Sequence, residues 1–129
     1  MFSRRNAATD KQQRGDAAEA QALAHLQRHG LTLVERNYRV ARGPNARGGE
    51  VDLILRERDG TLVFVEVRVR ADVRHGGAAA SVGAAKRASL VLAARHYLLR
   101  FAAPPPCRFD VVAIDNGELQ WLRAAFDAA

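Results

Sequence analysis

The pattern of apolar and polar residues divides the chain into helical and extended segments. Alanine and leucine recur at helical spacing from Asp16, which suits an N-cap, to Gly30, where the helix is predicted to end. Partial alternation over residues 31–40 predicts a first strand, followed by a basic loop. Residues 1–13 are polar and lack periodicity, which predicts a mobile arm ahead of a single domain over residues 14–129.

The next two apolar segments, GEVDLILRE and LVFVEVRVR, predict a β-hairpin whose loop sets the register. In the first of them the alternation places Val51, Leu53 and Leu55 on one face and Glu50, Asp52 and Ile54 on the other. A three-residue loop ending at Gly60 would put Asp52 directly opposite Glu66, and glycine suits the left-handed conformation that such a loop requires. A two-residue Asp-Gly loop would instead put the two acids on opposite faces. The sequence favours the first loop and leaves the second open.

The rest of the chain predicts one more helix and further strands. The helix is predicted from Ser81, as N-cap, to about Phe101, ahead of the three prolines at 104–106. Residues 107–114 and 119–126 flank a turn cluster of Asp, Asn and Gly, which predicts either a strand pair or a strand with a short tail. The order of helix, three strands, helix and strand, with a second strand at the end in one of the two alternatives, predicts one α/β domain.

Composition narrows the class of partner and the compartment. The 129 residues include 20 Lys+Arg against 14 Asp+Glu, a formal charge of +6, which favours a polyanionic partner such as nucleic acid. Cys107 is the only cysteine, so it excludes an intrachain disulfide and predicts a reducing, cytoplasmic environment. No apolar stretch approaches the roughly 18 residues of a membrane span, so no membrane association is expected.

Glu66 is the first candidate for chemistry, because it lies in the middle of an apolar strand. One interpretation is a surface ion pair with a nearby arginine. The other is that Glu66 faces Asp52 and the two share a divalent ion, since opposed carboxylates repel and hard cations such as Mg²⁺ or Mn²⁺ take carboxylate oxygens. Such an ion can polarise a phosphodiester and activate water, which is nuclease chemistry.

Glu19 is a third acid that could approach the sheet. It lies beside the inward stripe of the first helix, with Leu23 and Leu26 one and two turns further on. Its alternative role is a capping-box glutamate three residues after Asp16. The sequence leaves both roles open.

Two levels of family resemblance rest on these segments. GEVDLI followed by LVFVEVRVR resembles the metal-binding hairpin of the PD-(D/E)XK nuclease superfamily. The ordered set GDAAEAQALAHLQRHGLTLVERNYR, GGEVDLI, FVEVR, the Lys86 helix, FDVVAID and the terminal AF resembles the YraN-like family of bacterial proteins, from about Gly15 to Phe126. The resemblance implies a restriction-endonuclease-like αβββαβ core, with a central mixed sheet flanked by helices. It also implies a similarity to archaeal Holliday-junction resolvases, hence branched DNA as a substrate and a homodimer.

Site residues follow from the resemblance by position. It implies that Mg²⁺ or Mn²⁺ is held by Glu19, Asp52, Glu66 and the backbone carbonyl of Val67. Glu50 is implied only as an outer acid.

The superfamily lysine falls at Arg68, and this departure has three readings. Guanidinium is larger than ammonium and is not deprotonated in proteins, so turnover could be lost. Lys11 and Lys86 are the only lysines among 20 cationic residues, so a compositional bias could have placed an arginine that still clamps phosphate. In the third reading Lys86 reaches the same phosphate. The alternative role of Lys86 is that of an ordinary solvated charge on the helix surface.

Several arginines near the hairpin are predicted to contact DNA phosphates: Arg42, Arg47, Arg70, Arg74 and Arg87. Tyr97, Trp121 and Phe126 lack the spacing of a base-stacking platform and are expected in the core. Together these features predict a metal-dependent DNA endonuclease that hydrolyses phosphodiesters, with Arg68 or Lys86 stabilising the transition-state charge. The alternative is a catalytically lapsed DNA-binding protein of the same fold, and a third class is a protein-interaction module.

Overall fold

The computed structural model of the protein describes residues 6–41, 48–70 and 82–128. Two helices and five strands follow in the order α1 (Asn6–Arg28), β1 (Thr32–Val40), β2 (Gly49–Arg56), β3 (Leu62–Arg70), α2 (Ala84–Leu98), β4 (Cys107–Asp115) and β5 (Glu118–Phe126). This order confirms the predicted succession of elements, and the strand pair at the end is the correct one of the two alternatives.

The five strands form one mixed sheet in the order β1-β2-β3-β4-β5. Only β3 and β4 are parallel, and α2 lies in the connection between them, as a parallel pair requires a crossover. The predicted α/β fold with a mixed sheet and flanking helices is therefore confirmed, and β5 extends the αβββαβ order by one strand. None of the described helices is long and apolar enough to cross a membrane.

Each face of the sheet carries its own apolar core. The core on the α1 side contains Ala18, Ala22, Leu26, Leu53, Leu55, Val63, Val65, Val112 and Ile114. The core on the α2 side contains Ile54, Leu62, Phe64, Leu90, Ala93, Ala94, Tyr97 and Phe109. Val51 also packs on the α2 side, although alternation predicted that it would face with Leu53 and Leu55. The neighbouring strand β1 departs from extended geometry at Asn37, whose φ is 52°. Asn37 lies between the residues that pair with Leu53 and Val51, and this is where the alternation along β2 fails.

The helix ends differ from the predictions. Helix α1 begins at Asn6, ahead of the predicted N-cap Asp16, because residues 7–13 include good helix formers although they lack an apolar stripe. Residues 1–5 of the predicted arm lie outside the described ranges, and the mobility of the arm stays a prediction. Helix α2 has Gly83 as N-cap and ends at Leu98, so the predicted start at Ser81, itself outside the described ranges, and the end near Phe101 were wrong.

The two tight turns follow local chemistry. Between β2 and β3 the Glu57 N–H donates to the Thr61 carbonyl over 2.9 Å, and Gly60 has a φ of 96°. This is the three-residue loop that the sequence favoured. Between β4 and β5, Asn116 and Gly117 both have positive φ, as a two-residue type I′ turn requires.

Candidate metal centre

Asp52 and Glu66 face one another across the hairpin. The pairing runs from Arg56↔Leu62 to Leu53↔Val65, and Asp52 and Glu66 are the residues that follow the last pair on the two strands. The backbone N–H of Val67 donates to Asp52 Oδ2 over 2.8 Å and fixes that carboxyl group at the hairpin. The confirmed loop therefore brings the two acids close together, and their side chains interact.

Two cations lie against one oxygen of Glu66. Arg68 Nη1 is 3.3 Å and Lys86 Nζ is 3.7 Å from Glu66 Oε2. The other oxygen, Oε1, is buried and receives no hydrogen bond from any of the described residues. The Glu66 side chain is only 3% exposed, so the surface ion pair that the sequence left open does not describe this residue.

The pair holds its charge at an electrostatic cost. Burial, reinforced by the nearby Asp52 carboxylate, raises the pKa of Glu66 to about 8, although Lys86 and Arg68 act to lower it. Burial also raises the pKa of Asp52, against the opposing effect of the Val67 N–H. The side chains of the two groups interact directly, so the pair titrates as a unit. Near neutral pH the pair therefore carries one proton or a cation in its place.

Glu19 lies on α1 at the margin of this pair. Its Oε1 is buried without a hydrogen bond and is 3.8 Å from Arg36 Nη2. Burial raises the pKa of Glu19, and the second cause is the charge of Asp52. Because α1 begins ten residues before Asp16, Glu19 is not in the first turn of the helix, and the capping-box alternative was wrong.

The residues present fit a divalent cation at Asp52 and Glu66. Within the described ranges no group of three or more His, Cys, Asp or Glu side chains is placed to hold a metal ion, so Glu19 is not brought together with the hairpin acids. Mg²⁺, however, is commonly bound through one or two carboxylates plus waters and substrate phosphates. The free Oε1 of Glu66 and the repulsion between the two acids are the features that a cation would satisfy. The roles of Glu19 and of the Val67 carbonyl as ligands stay predictions.

Glu50 and Gly49 lie just before Asp52 on β2 and connect the site to α2. Glu50 is ion-paired with Arg39 over 3.2 Å, and its backbone N–H donates to Ser89 Oγ on α2 over 3.1 Å. Glu50 raises the pKa of Asp52 through its charge, which agrees with an outer position. The close approach of α2 here depends on Gly49, since a Cβ at that position would lie 2.7 Å from the Ala93 nitrogen.

Few of the predicted DNA-contacting arginines can be located. Arg42, Arg47 and Arg74 lie outside the described ranges, and Arg70 is the last residue of β3. Arg87 is exposed in the first turns of α2; its Nε donates to the Val82 carbonyl over 3.1 Å, and its guanidinium centre is 5.2 Å from the Phe126 ring centroid. Their contacts with DNA stay predictions.

A second buried acid was missed by the sequence reasoning. Asp110 on β4 is fully buried and receives hydrogen bonds from Arg108, from Trp121 Nε1 over 2.9 Å and from the Ala124 N–H over 2.9 Å. The available signal was an acid between Phe109 and Val111 with an arginine two residues earlier. The aromatic residues are mostly where they were expected: Tyr97 is buried, whereas Trp121 and Phe126 are half-buried against the two cores.

Comparison with known proteins gives one family. The family described as "Uncharacterised protein family UPF0102" matches residues 18–114. The UPF0102 protein of Methylibium petroleiphilum is 69% identical over 115 residues, which cover 89% of this chain and 94% of that protein. The UPF0102 protein of Paracidovorax citrulli is 65% identical over 114 residues, covering 88% and 82% of the two chains. No solved structure matches the chain. On the family match and these identities, the chain belongs to the UPF0102 family, the YraN-like family that its sequence segments resemble.

Proposed function

We propose that this protein binds DNA and hydrolyses phosphodiester bonds with Mg²⁺ or Mn²⁺. The observation that carries the proposal is the pair of half-buried Asp52 and buried Glu66, with one Glu66 oxygen that no donor of the described residues satisfies and two cations beside it. The resemblance of this hairpin to that of PD-(D/E)XK nucleases supports the reaction, and the formal charge of +6 supports a polyanionic substrate.

The residues of the chain have separable tasks in this proposal. Asp52 and Glu66 would hold the ion, which when bound would polarise the scissile phosphate and lower the pKa of a bound water. The Val67 N–H keeps the Asp52 carboxylate oriented. Lys86 and Arg68 have side chains that are 31% and 32% exposed, so their charged groups can reach a phosphate while they remain beside Glu66.

The test is cleavage of labelled linear, flapped, single-stranded and four-way-junction DNA with Mg²⁺ or Mn²⁺. We expect cleavage that needs the ion and that falls to background in Asp52→Asn, which keeps the shape of the side chain and removes its charge. Asp127→Asn, the same chemical change at an exposed residue near the end of β5, is the matched control and should cleave like the parent. Circular dichroism checks that both variants fold.

Two outcomes would contradict the proposal. Cleavage that persists in Asp52→Asn would place the chemistry elsewhere or reveal a contaminating nuclease. Absence of DNA binding at low salt would favour the protein-interaction class, because the electrostatic part of DNA binding is strongest there.

A catalytically lapsed DNA-binding protein is the second candidate. It is favoured by Arg68, which stands where the superfamily has lysine and is ion-paired with Glu66. In that case the parent binds every DNA without cutting it, and Arg68→Lys alone gains cleavage. A parent that already cleaves rejects this candidate and leaves Lys86 as the lysine nearest Glu66 among the described residues.

A further inference from the structure

A cavity of about 400 Å³ opens along β5, beside the candidate metal centre. Its lining includes the apolar residues Val82, Val111, Leu122 and Phe126 and the cations Arg87 and Arg123. Small-molecule sites typically measure about 300–1,000 Å³ and combine apolar walls with a few polar groups. The cavity therefore has the size of a site for a small apolar group. Its two arginines suit a negative charge attached to that group.

The cavity lies one strand away from Glu66. Val111 on β4 is the parallel partner of Glu66 on β3, and neighbouring strands are about 4.8 Å apart. Two consecutive residues of α2 contact the metal centre and the cavity: Lys86 lies 3.7 Å from Glu66, and Arg87 lines the cavity. The parts of a ligand that extend from the cavity toward β3 would thus lie at the metal centre.

Both arginines lie over aromatic rings. The Arg123 guanidinium centre is 3.9 Å from the Trp121 ring centroid, and that of Arg87 is 5.2 Å from the Phe126 ring centroid. A guanidinium group over a ring keeps N–H donors on its edge, which suit the oxygens of a phosphate, although the Nε–H of Arg87 already donates to the Val82 carbonyl. Both arginines are exposed, so these edges can be reached from solvent.

We propose that the cavity takes the base of one unpaired DNA nucleotide, with the adjoining phosphates on Arg87 and Arg123. The proposal rests on the proposed function and names its substrate class: strands with unpaired bases, as in single strands, flaps and open junctions. A base offers a flat apolar surface for the cavity, whereas a base inside an intact duplex must first leave its stack. Charge complementarity selects the occupant, because the two arginines need an anion close to an apolar group.

The test measures binding rather than cleavage. Asp52→Asn protein, in the presence of a chelator, is titrated with duplexes that carry a short single-stranded flap, which fixes the register. In one series each flap position in turn is made abasic, so that every DNA has the same phosphates and lacks one base. One position should weaken binding by about 5-fold to 150-fold, the range found for stacking of a base on a protein aromatic group. The fluorescence of Trp121, the only tryptophan, should change with the complete flap and not with that abasic flap.

Variants separate the base from the phosphates. Ala125→Phe puts a ring at an exposed position of the cavity lining and should reduce the affinity for the complete flap to that for the abasic one. Arg123→Ala should weaken both flaps by the same factor. Arg56→Ala removes an equal charge from an exposed residue at the C-terminal end of β2, outside the cavity lining. It should leave both affinities nearly unchanged.

The outcomes distinguish this inference from the proposed function. Equal affinity at every abasic position, with no fluorescence change, overturns the inference even where the parent cleaves DNA. A base-dependent loss of affinity supports the cavity even where no DNA is cut, and in that case only the nuclease is rejected. Failure to bind any of these DNAs at low salt overturns both.

Discussion

Asp110 and Glu66 are both acids in the middle of apolar strands, and both are buried, but their surroundings are opposite. Each oxygen of Asp110 receives hydrogen bonds, from Arg108, Trp121 Nε1 and the Ala124 N–H. Glu66 has one oxygen without a donor and a second acid, Asp52, facing it. A buried charge stabilises a fold only when its partners are complete. The first acid therefore has the features of a structural residue, and the second has the raised pKa and the incomplete hydrogen bonding that make a residue a candidate for a functional site.

Asp110 also ties separate elements together. Arg108 contacts Asp110 on its own strand and Glu57 beside the β2–β3 loop, while Trp121 and Ala124 belong to β5. Asp110 thus joins β4 to the edge strand β5, and its partner Arg108 extends the network to the hairpin. Ala124, whose N–H donates to the carboxylate, has a positive φ.

Removing Asp110 should have the largest effect on stability. Asp110→Ala leaves Arg108, the Trp121 N–H and the Ala124 N–H without their shared partner, and breaking a buried ion pair in this way costs about 3–5 kcal/mol. Urea unfolding followed by circular dichroism measures the free energy of unfolding. Asp110→Asn keeps the shape and should lose less. A loss below about 1 kcal/mol, the scale of an exposed ion pair, would show that the network is not structural.

Glu66 should respond to pH in the direction opposite to that of a paired acid. Its pKa is raised to about 8 in the folded protein, from an ordinary value of 4.5, so folding favours the protonated form. The contribution of Glu66 to stability is present below about pH 4.5 and is lost as the pH rises through about 8. Asp52 and Glu19, whose pKa values are also raised, act in the same direction. The metal-free protein should therefore lose unfolding free energy between pH 5 and pH 8, by up to about 1.4 kcal/mol per pH unit for one such group.

Glu66→Gln is the matched variant for this measurement. Glutamine keeps the shape and can donate to Asp52 as protonated Glu66 does, so the pH dependence should flatten and stability at pH 8 should rise. A variant that is less stable than the parent at pH 8 would mean that the Glu66 carboxylate is fully compensated by Lys86 and Arg68.

A divalent cation should stabilise the parent and leave Glu66→Gln nearly unchanged. An ion that binds only the folded state at 100 times its dissociation constant adds about 2.7 kcal/mol. The thermal midpoint with Mg²⁺ or Mn²⁺, at constant ionic strength against NaCl, measures this effect without any DNA. Asp110→Asn serves as the control, because it should be stabilised by the ion as much as the parent. Equal stabilisation of the Glu66→Gln variant would remove the ion from this site.

The parts of this comparison that sequence could predict are local. Gly60 at the end of a three-residue loop favoured the hairpin register that the structure has, and Asn116 with Gly117 correctly marked the last turn, although the sequence left one alternative open in each case. The helix starts were less predictable. Helix α1 extends back through residues that have helix propensity but no apolar stripe, and α2 starts at Gly83 without a side-chain cap.

The difference between the two acids could not be predicted, because the sequence signal is the same for both. Each is an acid within an apolar run with an arginine two residues away. Asp110 is satisfied by Trp121 and Ala124, whose position depends on an irregular pairing of β4 with β5. Lys86 reaches Glu66 only because α2 packs over β2 and Gly49 permits the close approach. These are long-range contacts that no local pattern encodes.

The smallest predicted effects separate the two cations at Glu66. Both lower the pKa of Glu66, and the effect of Lys86 is the larger. Lys86→Met, which keeps most of the stem, should therefore raise that pKa further than Arg68→Met does, while each changes the unfolding free energy by less than about 1 kcal/mol because both heads are partly solvated. Carbon-detected NMR titration of the Glu66 carboxyl group measures the pKa, with Arg95→Met on the exposed side of α2 as the control. If Arg68→Met has the larger effect, then Arg68 is the main electrostatic partner of Glu66. The hypothesis that Lys86 takes over the role of the superfamily lysine, whose position Arg68 occupies, would then lose its electrostatic support.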